Sequence, residues 1–361
     1  MESDFELLKS SSLFQDQLEQ MPIFAKFLPI YHKNKPLKGY KIVIAHVLVP
    51  NTLPLIVCAI LGGADVTITA SNPRVVDDSV IEFLDQLNCT LDVDLTDASN
   101  FDLAIDCNAL FVDAPPKLGV VEVTRSGIHK YANKIIDRII INADASKTKL
   151  IETFLGNPKS VLRAIKKFIG EPEEFLKNKT VAVIGFGKIG RGIAKEFQTY
   201  CTLLVCDIAD KALTKAGELG LSIVKITDDK WKNSRALVNT DIIITCTGHK
   251  NLVSNYFVKE FIQGKLLLNL GAEDEYGPDY SESEVFMSKT KPFNFNLNPP
   301  TENMYIDPIL FAHLSGLKYI IDGSHPAGVH PLPEELDNSI VDMFRELNNA
   351  SVAEIEAYFE F

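Results

Sequence analysis

Residues 180–197, TVAVIGFGKIGRGIAKEF, carry the strongest structural signal in the chain. A short apolar run is followed by three glycines and then by apolar residues at helical spacing. This order of strand, glycine turn and helix is the dinucleotide-binding fingerprint of a Rossmann unit. Gly185 would permit the tight turn, Gly187 would let a pyrophosphate approach the backbone, and Gly190 would let helix and strand pack closely.

The following strands predict the rest of a nucleotide site. LLVCD places Asp207 at a strand end, where an acid can accept hydrogen bonds from an adenosine ribose and would repel a 2′-phosphate, which favours NAD. Later strands end in TCTG and LNLG, and ligands bind at such ends in parallel sheets. The expected NAD-contacting residues here are Gly185, Phe186, Gly187, Lys188, Ile189, Gly190, Asp207, Thr245, Thr247, Gly248, Asn269 and Gly271.

Apolar runs and helical segments alternate through most of the 361 residues, which is typical of an α/β protein. We expect two Rossmann-like domains with parallel sheets, a substrate domain and an NAD-binding domain, separated by a cleft. The expected boundaries are 1–165 for the substrate domain, completed by a C-terminal helix at 332–361, and 166–325 for the NAD-binding domain. LKYIIDG, 317–323, is expected to be the last strand of the second domain, and the acidic stretch 272–285 a solvated loop.

Composition limits the possible partners. The formal net charge is −12, which disfavours binding to nucleic-acid phosphates and favours a small-molecule substrate. The acidic N-terminus and the lack of a long apolar run lead us to expect a cytoplasmic protein with no membrane partner. The six cysteines show no CxxC pair and no zinc spacing, so we expect reduced thiols and no metal site.

Several motifs together resemble the S-adenosylhomocysteine hydrolase (adenosylhomocysteinase) family. They are GFGKIGRG with its fourth glycine Gly192, AHVLVPNTLPLIVCAILGGADVTITASNP, EVTRSGIHKY and SKTKLIETFLG. The resemblance extends over residues 37–347. It implies an enzyme that uses NAD to oxidise a ribose 3′-hydroxyl, eliminates homocysteine, adds water and reduces the ketone again.

The resemblance also implies individual site residues. The catalytic residues that it implies are His46, Asp106, Lys147, His325 and His330. Thr124 and Arg125 stand where the family has NAD-contacting threonines. Structural roles remain open for all five catalytic candidates: a strand-end histidine, a helix cap, a solvated lysine, and two histidines in a segment stiffened by prolines.

The sequence departs from the family at other positions. Val123 replaces the catalytic glutamate, with Glu122 one residue away and therefore on the opposite face of a strand, and Ala272 replaces a histidine. The family's C-terminal tail bearing Lys and Tyr has no counterpart, so we expect a homodimer rather than its tetramer. We therefore expect NAD-dependent oxidation of a secondary hydroxyl on a different small polar substrate. Adenosylhomocysteine hydrolysis, net dehydrogenation of a 2-hydroxy or 2-amino acid held by Arg125, and non-catalytic NAD binding remain alternatives.

Overall fold

The computed structural model describes residues 7–73, 75–350 and 355–356. This part of the chain divides into two compact units. Of the described residues, unit 1 comprises 7–73, 75–151 and 303–350, and unit 2 comprises 152–302 and 355–356. Within the described residues, no helix is long and apolar enough to cross a membrane.

Each unit is built on one parallel sheet. The described strands are β1 Lys41–His46, β2 Asp65–Ala70, β3 Thr90–Leu91, β4 Leu103–Asp106, β5 Gly119–Glu122, β6 Ile139–Asn142, β7 Thr180–Ile184, β8 Thr202–Asp207, β9 Ser222–Lys225, β10 Ile242–Thr245, β11 Leu266–Asn269 and β12 Gly328–Pro331. Unit 1 has the strand order β12-β6-β5-β4-β1-β2-β3, and unit 2 has β11-β10-β7-β8-β9. All the pairings in both sheets are parallel, which confirms the expected α/β class with two parallel sheets.

Helices connect these strands. The α-helices are α1 Ser12–Glu19, α2 Pro22–Asn34, α3 Leu53–Leu61, α4 Asp78–Leu84, α5 Arg125–Ala132, α6 Lys147–Leu150, α7 Asn157–Phe168, α8 Pro172–Leu176, α9 Lys188–Phe197, α10 Asp210–Glu218, α11 Lys230–Ala236, α12 Leu252–Tyr256, α13 Asn303–Asp322 and α14 Glu334–Leu347. A π-helical segment, Ile151–Gly156, joins α6 to α7. Short 3-10 turns lie at Pro50–Thr52, Ala143–Ala145, Lys259–Phe261, Glu282–Glu284 and Phe293–Asn296. Residues 351–354 and 357–361 of the expected C-terminal helix lie outside the described residues.

The sheet orders place one topological switch point in each unit. In unit 2 the chain begins at β7, moves to β8 and β9 on one side, and then crosses to β10 and β11 on the other. In unit 1 it begins at β1 and crosses from β3 to β4 in the same way. Ligands of doubly wound sheets bind at the carboxyl ends of the strands that flank such a point. The candidate regions are therefore the ends of β7 and β10 in unit 2, and of β1 and β4 in unit 1.

Two helices account for the difference between the units and the expected boundaries. Helix α7 belongs to unit 2, because its apolar face packs with the buried strand residues of that unit. Helix α13 belongs to unit 1, where it packs on β4 and β5. The expected strand at 317–323 was wrong: residues 317–322 are the last turns of α13, which ends at Asp322. Ser315 and Gly316, a pair that favours turns, lie inside this helix, and a Cβ on Gly316 would come 2.9 Å from Cγ2 of Val121 in β5.

Candidate functional site

The glycine loop of unit 2, residues 185–190, lies at the end of β7, and two of its glycines have no room for a side chain. Gly185 has φ +100°, and a Cβ there would lie 2.8 Å from Cγ2 of Thr247. A Cβ on Gly190 would overlap the carbonyl oxygen of Gly185. Both positions therefore require glycine, and the close packing expected at Gly190 is present.

Helix α9 begins directly after this loop. Its N-cap, Gly187, supplies no side-chain acceptor for the N–H groups of the first turn. The first intrahelical bond runs from the N–H of Arg191 to the carbonyl of Gly187. Because the first turn of a helix leaves N–H groups without intrahelical acceptors, and the helix dipole is positive there, this end is suited to an anion.

Asp207 joins the end of β8 to the glycine loop. Its Oδ2 accepts a hydrogen bond from the N–H of Phe186 at 2.7 Å, and its Oδ1 accepts one from Ala209 at 2.8 Å. The side chain is half-buried. Each carboxylate oxygen can accept a further hydrogen bond, so these contacts leave capacity for hydroxyl donors.

The fourth glycine of the motif has a packing role. A Cβ on Gly192 would lie 2.8 Å from Cγ of Pro158 and 2.9 Å from the carbonyl oxygen of Thr153. The neighbouring Arg191 guanidinium lies 4.6 Å from the ring centroid of Phe154. Gly192 therefore lets α9 approach the segment that leads into α7.

A buried carboxylate from the segment after β11 lies against the strand-end loop that follows β10. Glu275 accepts hydrogen bonds from the N–H of Thr247 at 3.0 Å, from its hydroxyl at 2.9 Å and from the N–H of Gly248 at 2.5 Å. A Cβ on Gly271 would overlap Oε1 of Glu275. Burial raises the pKa of Glu275, and the hydrogen bonds from Thr247 and Gly248 oppose this. Three of the expected NAD contacts thus surround a carboxylate of the chain itself.

Glu275 belongs to the acidic stretch that was expected to be a solvated loop, and that expectation was wrong at its centre. Glu275 and Tyr276 are fully buried, and Tyr280 is nearly so. The Tyr276 hydroxyl donates towards the carbonyls of Ile243 and Leu268, at 3.1 Å each. The acidic composition did not indicate these anchors, because two of the partners of Glu275 are backbone N–H groups, which leave no signal in the sequence.

Asn269 organises the end of β11. Its Oδ1 accepts hydrogen bonds from the Thr245 hydroxyl at 3.2 Å and the N–H of Gly271 at 3.0 Å. Its Nδ2 lies 3.0–3.1 Å from the carbonyls of Gly271, Glu273 and Lys289. The side chain that was expected to contact NAD therefore binds its own loop.

In unit 1, β1 ends in His46, which is 6% exposed. Its ring centroid lies 5.8 Å from that of His313, a fully buried residue of α13 that the sequence did not indicate. Burial lowers the pKa of His46 to about 4, and the charge of Lys149 adds to this. Burial, with the charges of His46 and Lys149, also lowers the pKa of His313 well below its usual value. Both imidazoles are therefore neutral at physiological pH.

The structure brings Lys149, rather than the expected Lys147, into the electrostatic surroundings of these histidines. Lys147 is exposed, and its Nζ donates to Oδ1 of Asn338 on α14 at 2.7 Å. Two helical positions differ by about 200° around the axis, so the two lysines face different directions. Lys147 matches the expected solvated alternative more closely than a role beside His46.

Asp106 is fully buried at the end of β4, and its oxygens are engaged within unit 1. They accept hydrogen bonds from the N–H groups of Leu110 at 3.0 Å and Phe111 at 3.1 Å, and from the Tyr131 hydroxyl at 2.5 Å. Burial raises the pKa of Asp106, while the hydrogen bond from Tyr131 opposes this. Asp106 is not the helix cap that was considered, because residues 107–118 form turns and contain no helix, and its contacts hold the turn that follows β4.

Glu122 is equally enclosed. Its carboxyl group accepts hydrogen bonds from the N–H groups of Asn108, Ala109 and Thr124 and from the Thr124 hydroxyl. Burial and the nearby Asp106 charge raise the pKa of Glu122 to about 8. Thr124 also caps α5, and Arg125 at its first position is exposed. Glu122 therefore anchors the 108–109 turn.

The structure does not bring the two C-terminal histidines to His46. Nε2 of His325 lies 2.8 Å from the carbonyl oxygen of Tyr319, and the ring centroids of His325 and Tyr319 are 4.3 Å apart. His330 lies in β12, an edge strand of the sheet of unit 1. It therefore does not follow a strand of the NAD-binding domain, as had been expected. Strands β6, β5 and β4 separate β12 from β1, a distance of about 19 Å at the usual strand spacing.

No family model matches the chain. It is 22% identical over 310 residues to an S-inosyl-L-homocysteine hydrolase from Methanopyrus kandleri, covering 77% of this chain and 71% of the relative. It is 24% identical over 391 residues to the protein of that name from Methanosarcina mazei, covering 94% and 92%. The chain is a distant relative of these hydrolases. An adenosylhomocysteinase from Haloquadratum walsbyi is 23% identical over 286 residues, covering 71% and 64%.

Solved structures are more distant. A dipicolinate synthase chain from Bacillus halodurans is 13% identical with a TM-score of 0.45, covering 78% of this chain and 98% of that chain. A transhydrogenase from Sinorhizobium meliloti is 11% identical with a TM-score of 0.37, covering 76% and 93%. Among the described residues, no group of three or more His, Cys, Asp or Glu is placed to hold a metal ion.

Proposed function

We propose that unit 2 binds NAD and that the chain uses it to oxidise a secondary hydroxyl of a small polar substrate, on a scaffold related to the adenosylhomocysteinases. The geometry of the glycine loop at the end of β7 is the observation that carries this proposal. Gly185 and Gly190 stand where a Cβ would collide with neighbouring atoms, and α9 begins there without a side-chain cap. An enclosed anion such as a pyrophosphate suits this arrangement.

The contacts of Asp207, which lies next to the glycine loop, also fit NAD. Asp207 is held at the end of β8 by the N–H of Phe186, with acceptor capacity for ribose hydroxyls. Its negative charge disfavours the extra phosphate of NADP. When bound, NAD supplies the acceptor for a hydride.

His46 is the proposed proton acceptor of the oxidation. Burial lowers its pKa to about 4, so its imidazole is neutral and carries a lone pair at physiological pH. In the oxidation, an imidazole nitrogen of His46 would accept the proton of the substrate hydroxyl.

Hydrolysis of a nucleosyl homocysteine is the second candidate, and similarity over 94% of this chain to the Methanosarcina mazei relative favours it. Two side chains argue against it. Val123 stands where the family has its catalytic glutamate, and the carboxyl group of Glu122 is engaged by its own turn. Loss of one acid or base group typically lowers a rate by about 10²–10⁴.

The test begins with the purified protein. It is denatured and assayed for NAD and NADH, and the native protein is then incubated with S-adenosyl- and S-inosyl-homocysteine while thiol and NADH absorbance are followed. Reduced cofactor without thiol supports the proposed oxidation, whereas thiol without net NADH supports hydrolysis. Failure of the protein to bind NAD under any condition contradicts the proposal.

A pair of glycine variants locates the cofactor site. Gly190→Val is expected to abolish NAD binding, because its side chain would overlap the carbonyl of Gly185. Gly170→Ala is the matched control in unit 2, since a Cβ there meets nothing within 4 Å. Calorimetric titration with NAD measures both, and equal affinities would place the cofactor elsewhere.

A further inference from the structure

Three neighbouring strands of the second sheet are each preceded by a charged residue. Lys265 comes directly before β11, Asp241 before β10 and Lys179 before β7. These strands are adjacent and parallel, so they begin at the same edge of the sheet. The three charged residues therefore lie together at the amino edge, whereas the glycine loop follows the other end of β7.

A cavity of about 610 Å³ opens at this edge, and we call it the amino-edge cavity. The three charged residues form one of its walls. The other wall is apolar and contains Phe168 at the end of α7, Phe175 in α8 and Phe286, all of them only partly buried. Cavities of about 300–1,000 Å³ that combine an apolar wall with a few polar groups are typical of small-molecule sites. The size and lining of this cavity suit a small ligand.

The charged wall has hydrogen-bond donors to spare at Lys179. Its Nζ lies 3.5 Å from Oδ1 of Asp241, which is longer than an ordinary hydrogen bond. Oδ2 of Asp241 accepts a hydrogen bond from the N–H of Thr180 at 2.8 Å. This bond and the charge of Lys179 lower the pKa of Asp241, so its carboxyl group stays ionised. Because an ammonium group has three donors, Lys179 can donate to a ligand while it stays beside Asp241.

Lys265 is held more firmly at the other side of Asp241. Its Nζ donates to the carbonyl of Val238 at 2.9 Å and to that of Thr240 at 2.6 Å. Burial lowers the pKa of Lys265, and the charge of Asp241 opposes this. One of its three donors remains for a ligand. Two ammonium groups and one carboxylate leave the charged wall with one positive charge in excess.

We propose that the amino-edge cavity binds a small apolar carboxylic acid. The carboxylate accepts hydrogen bonds from Lys179 and Lys265 and balances the excess charge, and the apolar part lies against the phenylalanine rings. An apolar amine would add to the positive charge, and a neutral apolar molecule would leave the ammonium donors without an acceptor. This site is separate from the glycine loop, so the inference goes beyond the proposed function and does not depend on NAD.

An ion-pair network with no ligand would contain the same charged residues, so the test must separate the two. The side chains of Lys179 and Asp241 are each 42% exposed, and pairs as exposed as this contribute little to stability. Lys179→Met keeps the aliphatic part of the side chain and should therefore give a folded chain. A network that serves structure alone predicts no effect of this change on the binding of any acid.

The experiment compares phenylbutyrate with the uncharged phenylbutyramide by calorimetry on the purified full chain. The acid should bind at least about tenfold more tightly than the amide, and Lys179→Met should abolish this preference. Lys177→Met is the matched control, because Lys177 is exposed and does not line the cavity, and it should retain the preference. Phe175→Ala should weaken both ligands and leave their ratio unchanged, since the apolar wall contacts the part that they share.

Equal affinity for acid and amide, a preserved preference in Lys179→Met, or no binding of phenylbutyrate would each overturn this proposal. NAD provides a check on the location. Because the cavity and the glycine loop lie at opposite ends of β7, NAD should not displace phenylbutyrate, and displacement would contradict the assignment of the acid to the amino edge. A chain that binds the acid but no NAD rejects the proposed oxidation and leaves the amino-edge site standing.

Discussion

The carboxylate of Glu275 is held by the N–H groups of Thr247 and Gly248, and Gly271 gives it the space to reach them. Glu275→Gln keeps the size of the side chain but replaces one carboxylate oxygen with an NH₂ group, which would face the N–H donors of Thr247 and Gly248. We expect a loss of about 1–3 kcal/mol in the free energy of unfolding. Urea denaturation checks this, with exposed Glu273→Gln as the control; equal stabilities would show that the carboxylate is not needed there.

Protonation of His46 couples stability to pH. Its pKa is about 4 in the folded chain and near 6.5 when unfolded, so the unfolded state binds more protons between these values. The free energy of unfolding should therefore fall as pH drops from about 6.5 to 4, by up to about 3 kcal/mol from His46. His46→Gln should show a smaller fall across this window than the wild type, whereas exposed His129→Gln should retain it. Parallel pH profiles for wild type and His46→Gln would contradict the assignment.

At the scale of elements, the strand–glycine–helix unit could be predicted because its signals are local. Its strand run, turn glycines and helix lie within 180–197, and the structure has β7, the turn and α9 there. Contacts between distant segments could not be predicted in this way. Asp337 of α14 accepts hydrogen bonds from the N–H groups of Lys147 and Thr148 and thereby caps α6. No spacing rule connects residues so far apart, and the same holds for His313 beside His46.

The packing of α9 on the segment 153–158 depends on Gly192. Alanine has a higher helix propensity than glycine, but an alanine Cβ at position 192 would lie 2.8 Å from Pro158 and 2.9 Å from the carbonyl oxygen of Thr153. We expect Gly192→Ala to destabilise the protein by about 1–3 kcal/mol through overpacking. Gly217→Ala is the matched helical control, because its nearest neighbour would be 3.9 Å away, and it should stabilise by up to about 1 kcal/mol. Thermal melts of both variants measure this, and two changes of the same sign would refute the close contact.

On the scale of the whole molecule, sequence periodicity was sufficient for the α/β class and for two parallel sheets, because buried parallel strands are apolar on both faces. It was insufficient for the assignment of α13. That helix is apolar around most of its surface, and a continuous apolar stretch such as LKYII does not distinguish a strand from a buried helix. The placement of α13 in unit 1 brings His313 to the carboxyl edge of the first sheet, and it leaves the second sheet with five strands among the described residues.

The proposed cofactor site belongs to unit 2, so NAD should stabilise that unit. NAD at about 100 times its Kd adds about 2.7 kcal/mol to the stability of the unit that binds it. Hydrogen exchange should therefore slow at the glycine loop and the first turn of α9, and mass spectrometry of peptides from unit 2 measures this effect. In Gly190→Val the effect of NAD should vanish, whereas Gly170→Ala should retain it. Slowed exchange with NAD in Gly190→Val would show that the cofactor does not occupy the glycine loop.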